Sequence, residues 1–160
     1  MATLITYFSQ TGNTKRIAEA IAELRRADIE QIEETRTRKG FFGYLAAGRD
    51  AWRKRASEIR SAKIDPDTYD LVVAGTPVWA WNLTPPVRSY LAKHGERMKR
   101  VAFFCTQGSS GAEGVFKQMA ELCGKRPIAT LAVTEGELKR ADYAAKVRSF
   151  TESLSEYEYR

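Results

Sequence analysis

The sequence predicts an α/β protein built on a doubly wound, five-stranded parallel sheet in the order 2-1-3-4-5, with helices on both faces. Two observations lead there. Five short apolar runs alternate with five stretches of helical periodicity. Three of those runs are apolar throughout rather than at every second residue, as strands covered on both faces must be. Alternating units of this length close into a parallel sheet through right-handed crossovers.

The elements follow in order. The first strand is Thr3–Phe8, and the polar loop Ser9–Thr14 leads into a helix from Lys15 to Arg25 with Ile17, Ile21 and Leu24 at helical spacing. A weaker strand, Asp28–Ile32, precedes a helix from Gly40 to about Ser57, whose stripe is Phe41, Leu45, Gly48 and Trp52. The third strand, Leu71–Gly75, runs into the loop Thr76–Leu83. Thr84 then reads as an N-cap with Pro85 at the first helical position, and Val87, Tyr90 and Leu91 face inward. The fourth strand, Val101–Cys105, gives way to the loop Thr106–Gly111 and a helix to Leu122 carrying Val115 and Met119. Ile128–Val133 is the fifth strand, and a helix from about Asp142 to Leu154 turns Val147, Phe150 and Leu154 inward.

Composition narrows the function classes. A chain of 160 residues with 43% hydrophobic content is expected to form one domain, residues 1–160, with an ordinary core. It contains no apolar run near the roughly 18 to 20 residues that a membrane span needs. It opens on a strand, without the basic-then-apolar layout of a signal segment, so a cytoplasmic location is expected. Cys105 and Cys123 match no metal or CxxC spacing and read as reduced, buried thiols. His94, the sole histidine, has no triad partners and falls near a helix end. The charge of +6 is local: nine bases and two acids lie between Arg36 and Lys63, leaving the rest of the chain at −1.

In a doubly wound sheet the ligand sits beyond the carboxyl ends of the strands, where the winding reverses. Three loops lie there. The first, Ser9-Gln10-Thr11-Gly12-Asn13-Thr14, sets hydroxyls and amides around a glycine at a helix N-terminus, a cradle for an anion without a cationic side chain. It is neither a Walker A loop nor a dinucleotide turn, because the lysine and the further glycines are missing. The second loop places Trp79 and Trp81 beyond the third strand, where flat rings suit stacking on a planar heterocycle. The third, with Gly108, Ser109, Ser110 and Gly111, is small enough for backbone to approach a ligand closely.

The first loop, placed after the first strand, resembles the [ST]-x-T-G-x-T phosphate loop of the flavodoxin family. The resemblance implies a short-chain flavodoxin-like protein that binds FMN and uses no catalytic side chain or metal. It carries the phosphate site onto Ser9, Gln10, Thr11, Gly12, Asn13 and Thr14. It carries the ring site onto Thr76, Pro77, Val78, Trp79, Trp81 and Asn82, with Trp79 preferred for stacking, and onto Thr106, Gly108, Ser109, Ser110 and Gly111. The chain departs from the common pattern in lacking a tyrosine and clustered acids in the third loop. Because acids beside the flavin disfavour its reduced anion, a basic chain is expected to lower the couple to the fully reduced flavin less strongly. Screening beyond about 10 Å limits that effect.

The implied function is electron carriage to or from protein partners. The alternative is an FMN-dependent NAD(P)H:quinone or flavin-type oxidoreductase, and a cofactor-free adaptor is the remaining reading. A phosphoryl-switch receiver is excluded, since Ser9–Gln10 and Thr76–Pro77 stand where its acids belong. The basic segment Arg36–Lys63 is read either as a solvated helix face, as a dock for an acidic redox protein, or as a dimer contact through Phe42 or Trp52. No nucleic-acid motif accompanies the charge, and monomer and homodimer both stay open.

Overall fold

The computed structural model describes residues 1–35 and 57–159. The strands are β1 (Thr3–Tyr7), β2 (Asp28–Gln31), β3 (Leu71–Trp79), β4 (Asn82–Leu83), β5 (Val101–Gln107) and β6 (Thr130–Thr134). The helices are α1 (Asn13–Arg25), α2 (Pro85–His94), α3 (Ala112–Cys123), α4 (Glu135–Lys139) and α5 (Ala144–Glu156). The sheet order is β2-β1-β3-β5-β6, and every pairing along that path is parallel. The five expected strands therefore stand in the expected order. β4 is an addition, an antiparallel partner of β3 alone.

Neighbouring residues along a strand point to opposite faces, and both faces are covered here. Ile5, Tyr7, Val73, Phe104 and Val133 join Ile17 and Ile21 of α1 and Val147, Phe150 and Leu154 of α5 in one core. Val72, Ala74 and Phe103 join Val87 and Leu91 of α2 and Val115 and Met119 of α3 in the other. The adjacent pair Phe103 and Phe104 thus serves two separate cores, which is why the run could not alternate with polar residues.

Three expectations need correction. β3 continues past Gly75 to Trp79, because Asn82–Leu83 folds back and pairs with its end. Thr84 holds the N-cap position of α2, but its side chain makes no cap hydrogen bond; its hydroxyl meets Thr76 Oγ1 at 3.1 Å instead. The final helix begins at Ala144, since the segment before it forms α4, closed by a capping box in which Thr134 and Glu137 exchange hydrogen bonds.

The helix expected from Gly40 to Ser57 falls almost wholly outside the described residues, as does most of the basic Arg36–Lys63 segment. Its flanks are described. Glu34 bridges antiparallel to Ile59, and the Arg60 and Thr35 amides donate to the Glu33 and Glu58 carbonyls. Among the described residues no helix is long and apolar enough to cross a membrane.

His94 ends α2 and is buried. The Arg97 guanidinium lies 3.2 Å from its Nδ1; since arginine can only donate, that nitrogen is the bare acceptor of a neutral ring. Burial, then the Lys93 and Arg97 charges, lower its pKa. The unfolded chain consequently takes up the proton more readily, so stability is complete above about pH 6.5 and declines as the pH falls below it. Denaturation midpoints at pH 7.5 and 5.5 will show this loss in the native chain and a smaller one in His94→Gln.

A second expectation concerns Gly75. A Cβ there would lie 2.0 Å from the tip of the Phe104 ring. Gly75→Ala is expected to cost about 1–3 kcal/mol in chemical denaturation. Phe104→Leu, which removes the ring tip, will make the alanine cheaper.

Candidate functional site

The carboxyl ends of β1, β3 and β5 share one edge of the sheet, and three contacts fasten the loops that leave them. Thr14 Oγ1 and Thr106 Oγ1 lie 2.8 Å apart, joining the first loop to the third. Phe8 and Trp79 meet edge to face, with centroids 5.6 Å apart at 87°, joining the first loop to β3. A Cβ on Gly111 would stand 2.8 Å from Val78 Cγ1 and 3.4 Å from the Trp81 ring, joining the third loop to the hairpin. The sequence-predicted residues are thereby brought together.

The first loop is a cradle of amides. Ser9 Oγ accepts the Gly12 N–H at 3.1 Å, closing a tight turn. Gly12 adopts φ 97° and occupies the N-cap of α1, where no side chain caps the helix. The amides of Asn13, Thr14 and Lys15 consequently have no intrahelical acceptor, and a Cβ on Gly12 would meet nothing within 4 Å. Gln10 and Thr11 are exposed, Asn13 is half-buried and Thr14 is buried. Free amides, a positive helix end, hydroxyls and open space fit a phosphate monoester dianion.

The second loop is a hairpin. Ala80 and Trp81 both take positive φ, 47° and 60°, between the paired residues Trp79 and Asn82. That is a two-residue turn of the primed kind, which ordinarily selects Asn-Gly. Its anchors are polar. The Asn82 amide donates to the Ala80 carbonyl at 2.8 Å and accepts from Gln118 at 2.8 Å. Gln118 Oε1 in turn accepts from Arg88 at 3.0 Å. Trp81 rides on this frame, 70% exposed, beside Gly111.

Trp79 is half-buried against Phe8, so Trp81 is the more open of the two rings. Pro77 and Val78 are half-buried in β3. Thr76 is wholly buried: its hydroxyl donates to the Pro77 carbonyl or to Thr84 and accepts the Thr84 amide at 3.2 Å. Thr76 and Asn82 therefore hold the hairpin in place through bonds within the chain.

In the third loop Gly108, Ser109 and Ser110 are exposed, and a Cβ on Gly108 would meet nothing within 4 Å. Gly111 caps α3 at φ 108°. Gln107 Oε1 accepts the Ala112 amide at 3.1 Å, fixing where the loop ends. Sequence reasoning passed over Gln107, Gln118 and Phe8.

Burial pushes the Cys105 thiol up to about 12 and the Cys123 thiol up to about 11, so neither is a thiolate nucleophile near neutrality. Among the described residues no group of three His, Cys, Asp or Glu could hold a metal.

A family model described as flavodoxin matches residues 2–148. Among solved structures, the chain is similar to a flavoprotein from Lactobacillus acidophilus NCFM in complex with FMN. Identity is 23%, 87% of this chain and 97% of that one are covered, and the TM-score is 0.71. It is also similar to two-electron reduced flavodoxin from Megasphaera elsdenii at 16% identity, with 96% and 98% covered and a TM-score of 0.56. At these identities the likeness to the two structures is one of fold.

The turn itself yields an expectation. Left-handed conformations cost a residue with a side chain about 1 kcal/mol each, so replacing Ala80-Trp81 by Asn-Gly should stabilise the ligand-free protein by about 1–2 kcal/mol. Chemical denaturation of the double variant will measure the gain.

Proposed function

The chain belongs to the flavodoxin family, and from that premise we propose that it binds FMN non-covalently and carries electrons to or from protein partners. The observation that supports this most directly is the uncapped N-terminus of α1, opened by Gly12 and flanked by the hydroxyls of Ser9, Thr11 and Thr14. That donor set suits the phosphate of FMN, and the exposed Trp81 with the small residues Gly108, Ser109, Ser110 and Gly111 suits a planar ring. When bound, FMN supplies one- and two-electron chemistry.

The chain's own residues hold and shield. The amides of residues 13–15 would hold the phosphate through dipoles rather than a formal charge. Trp81, the more open indole, would stack on the ring in preference to Trp79, the residue favoured from sequence, because Trp79 is packed on Phe8. Main-chain groups at 108–111 would be able to approach the ring edge, since the side chains there are small. Among the described residues, the side chains placed at this edge are hydroxyls, amides and rings suited to holding a ligand, and carriage is the reading we adopt.

The purified protein is expected to show flavin absorbance on saturation with FMN, with a calorimetric heat of binding. Under anaerobic conditions NADPH alone should leave the visible flavin absorbance unchanged; rapid bleaching would shift the assignment to a reductase. Trp81→Ala should weaken FMN binding about tenfold or more, the usual scale of a lost stacking contact, with little change in the folding of the ligand-free chain.

A further inference from the structure

We propose that Thr106 is a positioning residue for phosphate recognition, holding the Thr14 hydroxyl as a donor toward the first loop; this rests on the FMN reading above. The two threonines stand 92 positions apart in the chain, are 2% and 4% exposed, and touch through their hydroxyl oxygens at 2.8 Å. They are unequal partners. Thr106 lies within β5, paired with Pro77 on one side and Val133 on the other, so its backbone is held by two neighbouring strands. Thr14 belongs to the first turn of α1, inside the cradle.

Each hydroxyl carries one proton, and only one of the two protons lies between the oxygens. The pair therefore has two arrangements. In one, Thr14 donates to Thr106 and spends its proton on the core. In the other, Thr106 donates, and the Thr14 proton is left for an acceptor entering the loop. A phosphate oxyanion can only accept, so it selects the second. The bonds then run in series from Thr106 to Thr14 to phosphate, and each polarises the next. Without the Thr106 hydroxyl, the Thr14 oxygen loses its donor in a buried place and its rotamer loses its tether.

The test compares two ligands that differ by the phosphate. Native protein, Thr106→Val and Thr106→Ser are freed of flavin and titrated with FMN and with riboflavin. Valine keeps the shape and removes the hydroxyl; it should weaken FMN about five- to tenfold and riboflavin less than twofold, and serine should restore FMN binding. On a Thr14→Val background, the valine at 106 should then add little. Inorganic phosphate, followed through the amide signals of residues 12–15, gives the same comparison without the ring.

An equal loss for both flavins marks a merely structural role and overturns the inference, as does unchanged FMN affinity or a serine that fails to restore it. Native protein that binds no FMN overturns the cofactor reading and this inference together. If circular dichroism shows that Thr106→Val does not fold, Thr106→Ala is read by the same ratio of affinities.

Discussion

The site depends on how closely β3 can lie against β5. The ring of Phe104 points straight at Gly75, and the space it fills is the space a Cβ would occupy. Because Gly75 yields that space, the ladder continues without interruption from Val72↔Val101 to Pro77↔Thr106. The register of that ladder sets the height at which Thr106 meets Thr14, and it also sets where the hairpin after β3 faces the loop after β5. A steric fit in one core thus bears on the carboxyl edge of the sheet, two register positions further along the same ladder.

Above that frame the backbone is held in conformations of unequal cost. Gly12 and Gly111 take positive φ at little expense, and each opens a helix. Ala80 and Trp81 take it at an expense, since both carry side chains. The strain is sustained by the bonds of Asn82, Gln118 and Arg88, which secure the hairpin from behind. Strain held by a rigid surround is a common property of binding sites. Here its product is the outward presentation of Trp81.

Much of this was legible in the sequence, for identifiable reasons. Unbroken apolar runs at Leu71–Gly75 and Val101–Cys105 can arise only if both faces are covered, so the strand order followed from the alternation of elements. The three loops were marked by glycines and hydroxyls falling where a doubly wound sheet opens. The hairpin was not legible, because its two turn residues, Ala80 and Trp81, are neither the glycine nor the asparagine that announces a primed turn, and it is anchored by Gln118, 36 residues beyond Asn82. Nor could composition separate hydroxyls by role. Thr11 is exposed in the cradle, whereas Thr76, an equally plausible ligand from its place just past the apolar run Leu71–Gly75, lies within β3 and is enclosed by Pro77 and Thr84. Burial, which a motif does not encode, makes that distinction.

Two features at the same edge are left without a partner inside their own element. Three amides at the start of α1 have no partner within the helix, and a tryptophan holds a costly backbone conformation while keeping most of its surface in water. Each has a bland explanation alone: helix ends are often solvated, and single exposed aromatics are common. Together they constrain the occupant. The amides call for an anion small enough to enter a turn closed by Ser9, and the indole calls for a flat apolar surface beside Gly111. A free phosphate would satisfy only the first and a neutral aromatic only the second. A molecule carrying both at opposite ends would satisfy the edge as a whole, and the Thr14–Thr106 contact ties the loop that bears the amides to β5, the strand that leads into the loop ending at Gly111.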